Sequence, residues 1–187
     1  NLQTQGQAVG AYTWPGVVTR ELYSWGLNTS GQLGQGNTTS LSSPVQVGSL
    51  NWSDASAGGV CSLAIDPNGK LWSTGANYYG QLGLGDTASR SSFTQVGALT
   101  TWSKVAAGII GDANAAIKTD GTLWTWGHNN YGQLGQGNIT NLSSPVQVGA
   151  GTNWSEIAIG NFAVAVKTDG TLYAWGLNGS GQLGQGN

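Results

Sequence analysis

The sequence predicts an all-β fold, a β-propeller of which about 3.5 to 4 four-stranded blades lie in this chain. Three observations lead to this prediction. The tetrapeptide GQLG begins at residues 31, 80, 132 and 181, so it returns in steps of 49, 52 and 49 residues. A second marker precedes it in the same register, as LYSWG, LWSTG, LWTWG and LYAWG. Each unit of about 50 residues also offers four short segments of β-branched and aromatic residues between turn signals.

The four strands of a unit follow one another in a fixed order. The first is WSxxAxG, which starts at Trp52, Trp102 and Trp154, and the second leads into an Asp-Gly or Asn-Gly turn such as TDGT at 119–122. The third is LWxWG, and SSPVQVG forms the fourth after the glycine-rich loop. The Asp-Gly dipeptide predicts a tight type I′ hairpin, in which both central residues have positive φ.

The repeat divides the chain into units at about 1–51, 52–101, 102–153 and 154–187. The first unit is degenerate before residue 22, although a shift of 150 residues lays AVG at 8–10 on AIG at 158–160, and the fourth ends before its SSPVQVG segment. Fewer than four complete blades would expose strand edges and blade faces. We therefore expect a partial propeller whose further blades come from the same longer chain or from another subunit.

Composition excludes several classes of partner. Charged residues make up only 7% of the sequence and the net charge is −2, so the chain lacks the cationic surface that nucleic acids require. The sequence contains no run of eighteen apolar residues, so it predicts no membrane-spanning helix. Low charge, a single cysteine and the absence of methionine favour an extracellular, cell-surface or virion setting. The sequence also contains seven Asn-x-Ser/Thr sequons, which are acceptor sites for N-linked glycans and leave glycosylation open. They lie at Asn28, Asn37, Asn51, Asn138, Asn141, Asn153 and Asn178.

The residues offer no catalytic, cofactor-binding or metal-binding set. GQLGQGNT at 31–38 has the spacing of a phosphate-binding P-loop, but Asn37 stands where lysine is required and no helical pattern follows. His128 is the only histidine, Cys61 is the only cysteine, and the eight acidic residues are dispersed. We interpret GQLGQGN as the loop between the third and fourth strands, and Cys61 as a small buried hydrophobe.

The segments WSKVAAG, AIKTDGTLWTWGHNNYGQLGQGN and SSPVQVG of the third unit resemble the regulator of chromosome condensation repeat. The resemblance extends over nearly the whole chain and implies a propeller, usually of seven blades, of which this chain is about half. A histidine that such repeats usually carry after WSxxAxG is missing from all units. The loop insertions and basic tails of the members that act as exchange factors for the GTPase Ran, or that bind chromatin, are also missing, so that activity does not carry over.

Aromatic residues divide into recurring and unrepeated ones. We interpret the recurring tryptophans and the leucines of GQLG as core, namely Trp25, Trp72, Trp124, Trp126, Trp175, Leu33, Leu82, Leu134 and Leu183. The candidate partner-binding residues are the unrepeated loop aromatics and the lone histidine, namely Trp14, Tyr78, Tyr79, His128, Tyr131 and Phe162.

These observations favour a structural and protein-interaction module that is not an enzyme. The resemblance adds that bacterial members include secreted inhibitors that hold an enzyme through an aromatic-rich face, which implies a protein partner. The alternative is a lectin-like propeller that binds a surface glycan, with Trp14, Tyr78, Tyr79 and Tyr131 as stacking platforms. A GTPase exchange factor is the third hypothesis.

Overall fold

The structure is a computed structural model that describes residues 20–186, and all regular secondary structure in this part of the chain is β-strand. The strands are β1 (Tyr23–Gly26), β2 (Leu41–Gln46), β3 (Asp54–Ala57), β4 (Cys61–Ile65), β5 (Leu71–Gly75), β6 (Arg90–Gln95), β7 (Trp102–Ala107), β8 (Ala113–Lys118), β9 (Leu123–Gly127), β10 (Leu142–Gln147), β11 (Trp154–Ile159), β12 (Phe162–Lys167) and β13 (Leu172–Gly176).

These strands form four antiparallel sheets, which we number as blades. Blade 1 contains β1 and β2, blade 2 contains β3 to β6, blade 3 contains β7 to β10, and blade 4 contains β11 to β13. Within a blade, each strand pairs with the next one in the sequence, so every blade is a simple meander. The prediction of an all-β propeller with short four-stranded blades is confirmed.

In blades 2 to 4 the first strand lies innermost, because β7 contacts β3 on one side and β11 on the other, and β1 and β2 of blade 1 correspond to third and fourth strands. The Val105 N–H donates to Asp54 Oδ2 at 2.9 Å, and the Ala107 N–H donates to Ser56 Oγ at 3.0 Å. Strands β6 and β10 form the opposite, outer edges of blades 2 and 3. The turns between first and second strands and the long loops between third and fourth strands then share one end of the blades, which we call the loop face.

Neighbouring blades enclose two apolar cores. The first joins blades 2 and 3, and its buried members are Leu63, Ile65, Leu71, Val96, Trp102, Ala107, Ala116 and Trp126. The second joins blades 3 and 4, and its buried members are Ala115, Ile117, Leu123, Trp154 and Ala165. Blade 3 is therefore packed on both faces, which is why every residue of β8 is buried.

Each long loop of the loop face is organised by a buried asparagine. In blade 3, Asn129 Oδ1 accepts the Leu134 N–H at 3.0 Å, and Asn129 Nδ2 donates to the carbonyl oxygens of Asn138 and Thr140 at 3.0 Å each. These bonds close the glycine-rich segment on itself without any charged group. The equivalent residues in blades 1 and 2 are Asn28 and Asn77.

Asn28 is also one of the sequon asparagines. Its side chain is fully buried, and Nδ2 donates to the carbonyl oxygens of Asn37 and Thr39 at 3.0 Å each. Both amide hydrogens are therefore used inside the loop, and a glycan attached at Asn28 is incompatible with this fold.

The long loop of blade 2 receives an aromatic side chain from blade 3, the next blade along the chain. Trp126 of blade 3 donates from Nε1 to the carbonyl oxygen of Gln81 at 2.9 Å, and a Cβ on Gly83 would lie 3.0 Å from that indole nitrogen. Only glycine leaves the indole this space. Blade 4 repeats the arrangement, since Trp175 Nε1 donates to the Gln133 carbonyl oxygen at 2.9 Å.

Blade 2 fills the equivalent position differently. Thr74 stands where blades 3 and 4 have tryptophan, and Phe93 stands in β6 where β2 and β10 have proline. The Phe93 ring would lie 2.6 Å from a Cβ on Gly34, so it occupies the space that the indole of Trp126 occupies against Gly83. One aromatic side chain therefore fills the boundary between blades 1 and 2, between blades 2 and 3, and between blades 3 and 4. The third strand supplies it as Trp126 and Trp175, and the fourth strand supplies it as Phe93.

The predicted hairpins between second and third strands form, but the predicted type I′ turn is wrong. In the turn of blade 3 the Gly121 N–H donates to the Lys118 carbonyl oxygen at 2.9 Å, and Gly121 has positive φ whereas Thr119 and Asp120 do not. Residues 119–121 thus form a three-residue loop, one residue longer than the two-residue loop of a type I′ hairpin. Gly121, the last of the three, takes the left-handed conformation. Asp120 stabilises the loop by accepting hydrogen bonds from the Thr122 hydroxyl at 2.7 Å and the Thr122 N–H at 3.0 Å, and these bonds lower the pKa of its carboxyl group.

The interpretation of the recurring tryptophans as core holds for Trp126, which is fully buried, but is wrong for Trp25, which is 58% exposed. Trp25 lies on the face of blade 1 that has no other blade packed on it within residues 20–186, so it lacks the neighbouring loop that encloses Trp126. Trp72, Trp124 and Trp175 are half-buried. The leucines of GQLG are buried at Leu33, Leu82 and Leu134 and half-buried at Leu183, and Cys61 is buried.

Replacement of Asn129 by alanine is predicted to lower the free energy of unfolding by roughly 2–4 kcal/mol, because it removes three hydrogen bonds and leaves the Leu134 N–H unsatisfied in the interior. Chemical denaturation measures this loss. Asn178→Ala is the matched control, since Asn178 is the half-buried equivalent in blade 4, where water reaches the loop. Equal losses in both variants would contradict the proposed role of burial.

Gly80→Ala is predicted to destabilise the chain more than Gly181→Ala. Both glycines begin a GQLG segment and have positive φ, +81° and +73°, so the backbone strain is matched. A Cβ on Gly80 would clash with Ser143 Cα, whereas Gly181 has no atom within 4 Å among the described residues. Comparison of the two denaturation midpoints isolates the contact between blades, and identical midpoints would exclude it.

The Cys61 thiol is predicted not to react with a disulfide reagent in the folded chain. Burial raises its pKa to about 11, so the thiolate that reacts is scarce at neutral pH and is also covered. A thiol titration with Ellman's reagent should find no group in the native chain and one after denaturation. Rapid reaction of the native chain would contradict the burial of the Cys61 thiol in the folded state.

Candidate functional site

The structure brings five of the six candidate partner-binding residues to the loop face. Tyr78 and Tyr79 lie in the loop between β5 and β6, His128 and Tyr131 lie in the loop between β9 and β10, and Phe162 begins β12. Each of these positions follows from the meander, since the corresponding connections of all blades end on the same side. Trp14 lies outside the described residues.

Two of these residues form a contact between blades. The rings of Tyr79 and His128 lie 4.5 Å apart between centroids and are tilted by 45°. His128 Nδ1 lies 3.2 Å from the Gly111 carbonyl oxygen in the turn between β7 and β8. The pair therefore joins the long loop of blade 2 to this turn of blade 3, and His128 is half-buried while Tyr79 stays exposed.

The turn beside His128 presents the apolar residues that sequence reasoning missed. Ile109 and Ile110 are 74% and 69% exposed, although isoleucine is usually a core residue. The turn spans residues 108–112, whereas its counterparts span 58–60 and 160–161. The signal that could have found it is the repeat step of 52 residues instead of 49. Asp112 also has φ of +48°, the one positive value outside glycine among the described residues.

A cavity of about 590 Å³ lies beside these isoleucines, on the inner side of blades 3 and 4. Most of its wall is apolar and includes Ile109, Ile110, Ile159, Phe162 and Leu177. Phe162 is half-buried and forms part of this wall. We call the set formed by Tyr79, Ile109, Ile110, His128 and Phe162 the isoleucine surface.

The other two predicted residues lie apart from it. Tyr78 is 70% exposed at the tip of its loop, and Tyr131 lines a separate groove at the rim of blades 3 and 4 together with Ile139. The candidate residues that the structure describes therefore share the loop face but do not form one surface.

The ion pairs among the described residues are structural contacts. Lys104 on β7 pairs with Glu156 on β11 and donates to the Ser155 carbonyl oxygen at 2.8 Å, so it links the inner strands. Arg90 pairs with Asp86 at 2.7 Å at the rim. Within residues 20–186, no group of three His, Cys, Asp or Glu side chains is placed to hold a metal ion. No helix in that same range has the length and apolar character of a membrane span.

Comparison with known proteins gives consistent matches. The family model described as regulator of chromosome condensation (RCC1) repeat matches residues 21–65, 68–109 and 120–166. The X-linked retinitis pigmentosa GTPase regulator of Canis lupus familiaris is 38% identical over 141 residues, which are 72% of this chain and 14% of that protein.

Two solved structures show the same fold. Human WBSCR16 superimposes with a TM-score of 0.71 at 26% identity, over 85% of this chain and 43% of that one. Prp20p of Saccharomyces cerevisiae superimposes with a TM-score of 0.71 at 19% identity, over 90% of this chain and 44% of that one. The chain thus spans less than half the length of each of these proteins. On the repeat, the blade geometry and these matches, the chain belongs to the regulator of chromosome condensation repeat family.

Proposed function

We propose that this chain is a binding module without catalytic activity of its own, and that it binds a protein partner through the isoleucine surface. The observation that carries the proposal is the exposure of Ile109 and Ile110 beside an apolar cavity of about 590 Å³. Exposed aliphatic residues next to a concave wall are typical of sites at which another protein buries apolar area.

The turn under this surface is held by contacts with its neighbours, which favours binding. The turn that carries the isoleucines is held by the His128 contact with Gly111, and it packs so closely on blade 2 that a Cβ on Gly59 would clash with the Ile109 carbonyl oxygen. The backbone of the turn is therefore held before a partner binds, which reduces the conformational entropy lost on association. Tyr79 and Phe162 add aromatic area at the edges, as energetically dominant interface residues often do.

Relatives support the class of partner. Prp20p of Saccharomyces cerevisiae binds Gsp1p and histones, all of which are proteins. At 19% identity that likeness concerns the fold, so we carry over only the general use of such propellers as protein-binding scaffolds. Neither exchange activity on a GTPase nor any other activity of the longer relatives is part of this proposal.

A protein fits the isoleucine surface better than a glycan. Sugar sites combine a stacking ring with convergent hydrogen-bonding groups, whereas Ile109 and Ile110 supply aliphatic area alone. We also propose that the module acts outside the cell or on a cell or virion surface. This part of the proposal is supported by a composition with only 7% charged residues, in which the long loop of blade 3 is closed by asparagine hydrogen bonds without an ion pair.

Ile110→Asp is predicted to weaken binding to the protein partner by at least about tenfold, since it places a charge in an apolar contact. The partner is first recovered by crosslinking the wild-type chain in the extracellular fraction of its source, and the affinities are then measured by calorimetry. Ile139→Asp is the matched control, because Ile139 is 67% exposed but lies at the rim outside the isoleucine surface.

Both variants should retain the wild-type denaturation midpoint, since the two side chains are mainly in solvent. Equal affinities of Ile110→Asp and the wild-type chain would refute the assignment of this surface. Binding to a glycan array that is lost in Tyr78→Ala, without any protein partner, would establish the lectin alternative instead.

A further inference from the structure

The ring nitrogen Nδ1 of His128 lies within hydrogen-bond distance of two groups that have opposite roles. The Gly111 carbonyl oxygen, at 3.2 Å, can only accept a hydrogen bond, whereas Gln133 Nε2, at 3.4 Å, can only donate one. A nitrogen of the neutral imidazole is either a donor or an acceptor, so it satisfies one of these groups and opposes the other. The protonation state of the ring therefore decides which contact is a hydrogen bond.

In the neutral ring, burial favours the bond from Gln133. Its side chain is fully buried, and within residues 20–186 His128 Nδ1 is the one acceptor that the structure places within hydrogen-bond distance of Gln133 Nε2. Gly111 is half-buried in a surface turn. Because an unpaired buried donor costs more free energy than an acceptor near solvent, the neutral ring is expected to carry its proton on Nε2 and to accept from Gln133.

Blade 2 shows that the fold tolerates this glutamine without a partner. Ala76 stands at the position of His128, and Gln81 stands at the position of Gln133. Gln81 Oε1 accepts the Tyr79 N–H at 2.9 Å, but Gln81 Nε2 is buried without a hydrogen-bond partner. Loss of the bond from Gln133 to His128 is therefore compatible with a folded loop.

A second proton on the ring makes Nδ1 a donor to Gly111. The bond that forms ties the ring to the turn of residues 108–112, which we call the isoleucine turn. The charged ring also faces Tyr79, whose ring centroid lies 4.5 Å away, and a cation beside an aromatic ring is stabilised. Both interactions favour the protonated ring, so uptake of a proton biases the isoleucine turn toward its held state.

The elements around the ring carry few other ionisable groups. They are Asp112 in the isoleucine turn, Tyr78, Tyr79 and the Asp86–Arg90 ion pair at the long loop of blade 2, Tyr131 in the loop of His128, and Cys61 in β4. Carboxyl and phenol groups ordinarily change charge outside pH 5–8, and burial raises the pKa of the Cys61 thiol to about 11. Histidine is the side chain that changes charge within this range, and the sequence contains one.

We propose that His128 is a pH-dependent switch of the isoleucine surface: proton uptake exchanges the bond from Gln133 for a bond to Gly111, which holds the isoleucine turn and strengthens binding of the protein partner. The last step rests on the proposed function, whereas the exchange of hydrogen bonds is a property of the free chain. Binding is stronger at pH 5 than at pH 8, because a held turn loses less conformational entropy on association.

The first test is nuclear magnetic resonance of the whole chain with isotope-labelled histidine. Since the sequence has one histidine, the spectrum reports one pair of ring nitrogens. At pH 8 Nδ1 should lack a proton, and toward pH 5 both ring nitrogens should carry one. A ring that carries its proton on Nδ1 at pH 8 would overturn the proposal, because the bond to Gly111 would then exist without acidification.

The second test is hydrogen exchange of the Gly108 N–H, which closes the isoleucine turn by donating to the Ala113 carbonyl oxygen at 3.0 Å. After correction for the intrinsic exchange rate, protection at pH 5 should exceed protection at pH 8 by at least about threefold, as expected for one additional hydrogen bond. His128→Leu is the matched variant, since blades 1 and 4 carry Leu27 and Leu177 at this position. Its protection should not change with pH.

The affinity for the crosslinked partner should follow the same pattern, about threefold or more tighter at pH 5 in the wild-type chain and independent of pH in His128→Leu. Equal pH dependence of Gly108 protection in the two chains would overturn the switch. The proposed function would survive that result if Ile110→Asp still weakened binding. Wild-type affinity of Ile110→Asp, together with an intact pH response of the turn, would refute the proposed function and leave the exchange of hydrogen bonds established.

Discussion

One aromatic side chain, enclosed against a glycine of the preceding blade, holds each described pair of neighbouring blades together. Trp126 shows the interaction most completely, because its ring packs on Gly83 while Nε1 donates to the Gln81 carbonyl oxygen. The indole is fully buried and its one polar atom is satisfied. We call the glycine-rich loop that encloses this aromatic ring, as Gln81 and Gly83 enclose Trp126, the socket.

The socket explains the unusual composition. A loop that must approach an indole closely needs glycine, and a loop rich in glycine loses much entropy on folding unless its backbone is fixed by other groups. Asn129 supplies this constraint by accepting one backbone N–H and donating to two carbonyl oxygens, and Asn28 and Asn77 make the same three bonds in their loops. Stability therefore comes from neutral networks and aromatic packing, and the turns of the loop face remain free to vary. The isoleucine surface arises from such a variation.

The sequence predicted the features that recur and missed those that occur once. The strands and the loop role of GQLGQGN follow from the repeat, since each copy supports the interpretation of the others, whereas the burial of Cys61 was predicted from its residue type alone. Exposure of Trp25 could not be read from the repeat because burial depends on which blade lies beside it. The exchange of Thr74 and Phe93 was also missed, since it couples two strands through space rather than along the chain.

The socket is tested most directly by a double-mutant cycle at the boundary of blades 1 and 2. Thr74→Trp alone should place two aromatic rings in one space, and Phe93→Pro alone should leave none, so each destabilises the chain. Because the double variant recreates the arrangement of blade 3, its free energy of unfolding should return close to the wild-type value, with a coupling of about 2 kcal/mol or more. Single effects that add to within about 0.5 kcal/mol would contradict the claim that one aromatic residue fills this boundary.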